Sequence, residues 1–182
     1  MILNENEILR QRLRENDLDF SDEDVEEFLR TDYVGDIDFS KTDIEYLPLK
    51  GSIKNISGNV NLSSCENLTD LGRLTSVSGD LNLFRCYDLT DLGNLTSVGR
   101  ELNLSRCHNL TSLGNLTSVG GDLNLYNCYK LKDLSNLTSV GGDLNLSFCH
   151  KLTSLGNLTS VGGEIYGFAG DKSKYPQFRF ID

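Results

Sequence analysis

The chain has 182 residues, with 17 Lys and Arg against 27 Asp and Glu and a formal net charge of −10. That length suits one domain. The acidic balance argues against direct binding to a phosphate backbone, which needs clustered Lys and Arg, and no apolar run approaches the roughly 18 residues of a membrane span.

Charge is concentrated at the start. Residues 1–50 hold 15 acids and 6 bases, whereas the rest holds 12 acids and 11 bases. The opening MILNENEILRQRLREN lacks the apolar core of a signal peptide, so a cytoplasmic protein is expected. Residues 4–15 set Ile8, Leu9 and Leu13 among charges, as a short amphipathic helix does. Ser21 followed by Asp22, Glu23 and Asp24 opens a second helix, with Val25, Phe28 and Leu29 as its apolar stripe. Residues 1–33 are therefore expected to form an acidic helical cap, because the first coil of a stacked array would otherwise expose its interior. Asp17, Asp19, Asp22, Glu23, Asp24, Glu26 and Glu27 lie in a stretch without a base. They read either as a solubilising face or as an acidic contact for a basic surface that normally holds nucleic acid.

Residues 34–168 form the repeat region. Asp36-Ile37-Asp38-Phe39-Ser40 fits the strand frame, with a two-residue insertion near Pro48 before Val60 restarts it. From Asn59 to Gly163 one 21-residue phrase is written five times without insertion or deletion, as in ELNLSRCHNLTSLGNLTSVGG at 101–121. A fixed period of this length means a stacked repeat. Leu102 and Leu104 alternate with polar neighbours, the mark of a short half-buried strand. From Cys107 the apolar spacing is three, which fits 3₁₀ or polyproline II geometry, so a strand, a turn and a non-sheet return are expected. Stacked coils turn each apolar position into an interior column. Glu164-Ile165-Tyr166 opens a seventh strand, Gly167 breaks the frame, and Tyr175, Phe178, Phe180 and Ile181 suggest a C-terminal lid over residues 169–182.

The L-x-L-x-x-C-x-x-L segment resembles a leucine-rich repeat, and the phrase LTSVGGDLNL is similar to the repeats of receptor L domains. The resemblance implies a short-coil, right-handed parallel β-solenoid. With no room for a convex helix, it should be flatter than a horseshoe.

Cys65, Cys86, Cys107, Cys128 and Cys149 recur once per repeat. They read as a buried column of small apolar side chains or as a metal or disulfide ladder. Their odd number and the lack of Cys-x-x-Cys favour the former. The recurring Asn-Leu-Thr matches a glycosylation acceptor but reads as a turn element.

Alternation across the strand sends three columns outward. The first is acidic: Asp36, Asn59, Asp80, Glu101, Asp122, Asp143 and Glu164. Like charges about 5 Å apart repel by about 3 kcal/mol at an effective dielectric of 20, so this row is expected to cap turns, to receive basic side chains of a partner, or to hold a divalent cation. The second is an asparagine column, Asn61 to Asn145, expected to form a ladder of stacked amides. The third varies: Ser63, Phe84, Ser105, Tyr126, Ser147 and Phe168. Beside it run Ser64, Arg85, Arg106, Asn127 and Phe148, and after the cysteine Glu66, Tyr87, His108, Tyr129 and His150. Exposed aromatics beside Arg dominate binding hot spots. Variation confined to these positions points to a non-catalytic protein-protein interaction module, with no cofactor or metal and a monomeric or weakly homo-oligomeric state. The alternatives are an acidic nucleic-acid-mimicking inhibitor of a host enzyme, such as a phage-encoded anti-defence protein, and a calcium-binding or hydrolytic β-solenoid. Gly-x-Ser-x-Gly, phosphate-binding Gly-Lys-Ser/Thr and His-Glu-x-x-His motifs are absent.

Overall fold

Each Leu-Asn pair that opens a repeat is extended, and its neighbour 21 residues on lies beside it in the same register. In the computed structural model, which describes residues 33–47 and 53–181, this pairing builds a parallel β-solenoid. Among the described residues, fourteen two-residue strands lie in two sheets, alternating between them from β1 to β13. The larger sheet contains β1 (Ile37–Asp38), β3 (Val60–Asn61), β5 (Leu81–Asn82), β7 (Leu102–Asn103), β9 (Leu123–Asn124), β11 (Leu144–Asn145), β13 (Ile165–Tyr166) and β14 (Phe180–Ile181), in that order. Leu81 pairs with Leu102 and Asn82 with Asn103, whereas Ile37 pairs with Val60, as the longer first coil requires. The expected helical cap and its seven acidic contact residues, like the insertion near Pro48, lie outside the described residues.

The return segment corrects the expectation of a non-sheet path. The Ser-Val pairs form a second parallel sheet from β2 (Asn55–Ile56), β4 (Ser76–Val77), β6 (Ser97–Val98), β8 (Ser118–Val119), β10 (Ser139–Val140) and β12 (Ser160–Val161). The reason is local. Val98 is buried and β-branched, Ser97 faces outward, and the backbone is free to bond between coils, as in Thr96 N–H to Thr75 O (2.8 Å) and Gly99 N–H to Val77 O (2.8 Å). The three-residue spacing holds only between the sheets. There, single turns close with Leu110 N–H to Cys107 O and Leu116 N–H to Leu113 O, both 3.2 Å.

Leu102, Leu104, Cys107, Leu110, Leu113 and Leu116 are all fully buried, so the core is one continuous set of stacked columns. Among the described residues, the only helical segment is a 3₁₀ turn at Lys172–Lys174, and no helix is long and apolar enough to cross a membrane. The tail does more than lie over the last coil. It returns as β14, parallel to β13, so the sheet has eight strands rather than seven. Phe168, expected on the outer face, is buried at 4% exposure. Gly167, at φ +65°, makes the turn two positions early, and Phe168 turns inward, where it stacks on Phe180 (5.7 Å) and meets Tyr175 edge-on (5.8 Å).

Close stacking leaves some glycines no room for a side chain. A Cβ on Gly141 would collide with the carbonyl oxygen of Gly120, the equivalent residue one coil earlier. Gly156, at φ +56°, has open space around it. Gly141→Ala is therefore predicted to destabilise by about 3 kcal/mol through crowding, and Gly156→Ala by about 1 kcal/mol through backbone strain alone. Urea titration of both variants checks the order; equal losses would contradict it.

Candidate functional site

The turn after each strand of the larger sheet is built by the asparagine column. The Oδ1 of Asn82 accepts from Phe84 N–H (3.1 Å), and Asn103, Asn124 and Asn145 each accept from the N–H two residues on at 3.0 Å. These are Asx turns, and they replace the expected ladder of amides along the sheet. The side-chain oxygen reaches its own chain's N–H more readily than the next coil's amide. Asp38 does the same for Ser40. Burial alone would raise the Asp38 pKa, but hydrogen bonds from Ser40 and Asn61 outweigh it and hold the carboxyl below its ordinary value.

The next residue is left-handed in every coil: Lys41, Ser64, Arg85, Arg106, Asn127 and Phe148 have φ between +61° and +64°. Neighbouring coils hold it there, with Arg85 N–H donating to Ser105 O (3.1 Å) and Arg106 N–H to Tyr126 O (2.8 Å). Glycine or asparagine would adopt this conformation at least cost, yet only Asn127 fits that preference.

The side chains from this turn form a strip. Arg85 Cζ lies 5.0 Å from the Phe84 ring centre and Arg106 Cζ 6.0 Å from it, so one ring is flanked by two guanidiniums. Tyr126 meets Phe148 edge-on at 5.3 Å, and Phe148 meets His150 at 5.9 Å. Phe148 is 51% exposed. Arg85 Nε is buried without a hydrogen-bond partner in the structure. A second strip lies just beyond the cysteine, where Tyr87, His108 and Tyr129 stack at 5.1 Å from ring to ring. The structure thus brings together nine of the ten residues singled out from the sequence for protein binding; Phe168 is the exception. Sequence reasoning missed Asp88, Asn109 and Lys130, which share one column of the second strip; a change of charge along that column was the available signal.

The acidic column is a hydrogen-bond ladder between coils. Asp36 Oδ1 accepts from Asn59 N–H (2.7 Å), Asp80 Oδ1 from Glu101 N–H (3.0 Å), and Asp143 Oδ1 from Glu164 N–H (2.8 Å). Charge-assisted bonds of this kind offset the repulsion along the row. Arg100 lies 3.5 Å from Asp80 and Arg179 lies 2.9 Å from Glu164. Among the described residues, no group of three or more His, Cys, Asp or Glu is arranged to hold a metal ion. A hollow of about 250 Å³ lies over Asp122, Asp143 and Tyr166, and an open trough of about 510 Å³ runs over the Ser and Gly positions of the second sheet.

The five thiols are buried and free. Each donates to a strand carbonyl of the preceding coil: Cys107 Sγ to Leu83 O and Cys128 Sγ to Leu104 O, both at 3.1 Å. Burial raises all five pKa values and pushes Cys149 up to about 11; the shifts at Cys86, Cys107 and Cys128 are larger, with neighbouring thiols adding to burial. A reactive cysteine needs the opposite shift.

No family model matches the chain, and no curated protein or solved structure matches it significantly.

The raised thiol pKa values fix a pH dependence. The folded state holds these protons more tightly than the unfolded chain does, so their contribution is complete below the unfolded thiol pKa of about 8.5 and is lost as pH rises. Unfolding free energy is predicted to fall above that pH by up to about 1.4 kcal/mol per unit for each thiol, with the Cys149 share levelling off near pH 11. Urea titrations from pH 7 to 10.5 check this. A flat profile across that range would contradict it.

Proposed function

We propose that this protein is a non-catalytic protein-binding scaffold that engages its partner through the turn strip. In this reading it is a cytoplasmic, short-coil solenoid of the leucine-rich-repeat kind. The observation that carries the proposal is the occupancy of the left-handed turn. Arg85, Arg106 and Phe148 stand where a side chain strains the backbone, at a cost of order 1 kcal/mol each. Strained positions that retain large side chains point to a use for those side chains. Here they are Arg and aromatic, the types that anchor protein interfaces.

Phe84, Arg85, Arg106, Tyr126 and Phe148 form the proposed contact surface, set on a rigid scaffold that fixes their spacing. Tyr87, His108, Tyr129 and His150 border it. The acidic-inhibitor reading would add a second contact from residues 15–27, whose run of acids is free of bases.

Arg106→Gly and Phe148→Gly separate the two roles of these positions. Each variant is predicted to keep wild-type stability or gain up to about 1 kcal/mol. Each should also lose partner capture by about tenfold or more. Affinity purification from the native host, paired with thermal unfolding, checks both halves. Capture equal to wild type would overturn the assignment of this surface.

A further inference from the structure

One column of the second strip changes sign along the solenoid axis. Asp88, Asn109 and Lys130 stand at 21-residue spacing, and hydrogen bonds tie them together. Asn109 Nδ2 donates to Asp88 Oδ1 (3.4 Å), and Lys130 Nζ donates to Asn109 Oδ1 (2.6 Å). The carboxylate and the ammonium are therefore held on one line, one coil to either side of Asn109, on backbones about 10 Å apart at the usual strand spacing.

The adjacent column has the complementary symmetry. Tyr87 and Tyr129 flank His108, each with its ring 5.1 Å from the imidazole. One coil further out, Glu66 at the N-terminal end answers His150 at the C-terminal end. About the coil of His108 and Asn109, then, Tyr87 matches Tyr129 and Asp88 opposes Lys130, while the outer positions set Glu66 against His150 and Asn67 against Lys151. An antiparallel two-fold pairing is self-complementary at the inner positions, because an isologous interface sets each residue against its mirror position in the other copy.

We propose that two copies of this chain associate through this edge, antiparallel, about a two-fold axis that lies in the interface, perpendicular to the solenoid axis, at the coil of His108. The rotation lays Asp88 of one copy on Lys130 of the other, twice per dimer, and Tyr87 on Tyr129. Tyr87 stacks on His108 and Tyr129 tilts against it within each copy, so the faces between the three rings are already covered. That suits a protein surface and does not suit stacking of nucleobases, whose platforms need open ring faces. Five coils span about 19 Å, so the contact is narrow and smaller than the standard specific interface of about 1,600 Å². The dimer is accordingly weak, reversible and salt-sensitive. This surface adjoins the turn strip of the preceding reading, but Asp88 and Lys130 lie outside that strip, so charge reversal there tests the dimer alone.

Sedimentation equilibrium of the full chain at low and high salt tests the proposal. The wild type is expected to show a monomer–dimer equilibrium that salt weakens. Asp88→Lys and Lys130→Asp, each alone, set like charges opposite one another and should weaken dimerisation by about tenfold or more. An equimolar mixture of the two variants restores both opposite-charge pairs and should form a heterodimer at least as strong as the wild-type dimer. That recovery also shows that both variants are folded. A wild type that stays monomeric at all concentrations, reversals without effect, or a mixture that stays monomeric would each overturn the proposal.

Discussion

Everything in this fold depends on backbone hydrogen bonds made between neighbouring coils, across 20 to 22 residues in the regular repeats. Leu83 N–H reaches Asn103 O in one sheet, and Thr117 N–H reaches Thr96 O (both 2.8 Å) at the entrance to the other. Once these bonds are made, each side chain sits on its own copy in the next coil. A leucine must then pack on a leucine, and a residue of another size disturbs two neighbours instead of one. The same spacing explains the cysteine column. The Leu104 carbonyl already accepts from Cys107 N–H (3.1 Å), and the Cys128 thiol, small enough to fit the core, supplies a second donor.

Coil-to-coil bonding also decides which positions are free to differ. The carboxylates that open the strands cap the next coil's backbone, the asparagines cap their own turns, and threonine hydroxyls follow the same rule, with Thr117 Oγ1 donating to Thr96 O (2.9 Å). Those columns are bound by structure. The left-handed turn position is different, because its backbone N–H is held by the next coil, as at Arg85 and Arg106, while its side chain makes no bond that the coil needs. Freedom of the side chain and strain of the backbone meet at one site, and there the chain has placed Arg85, Arg106 and Phe148.

The interior columns were readable from the sequence because spacing alone defines them: Leu102, Leu104 and Cys107 could face only inward once the period was known. The second sheet was not readable. A Ser-Val pair inside a run of three-residue spacing gives no period-two signal, and only the lateral bonds make it a strand. Asx turns were legible in principle, since each asparagine stands two residues before the N–H it caps, but the same amides could have bonded along the sheet. Phe168 followed the column arithmetic until Gly167 took a left-handed conformation two positions ahead of the usual turn residue. For the candidate site, the residue types were visible and their strain was not, because φ is a property of the folded coil. The sign change from Asp88 to Lys130 lay in plain view but acquires meaning only when Asn109 is seen to join them.

The account reduces to a claim about modularity: one 21-residue coil is a complete structural unit, and the array is the sum of such units with their nearest-neighbour contacts. A chain lacking residues 101–121 joins Arg100 to Asp122 in register and tests this directly. Small-angle scattering with thermal unfolding is predicted to show a folded, cooperatively melting protein of lower midpoint, shorter along its axis by about 4.8 Å. Loss of cooperative unfolding, or a length unchanged from the full chain, would contradict the stacked-coil account.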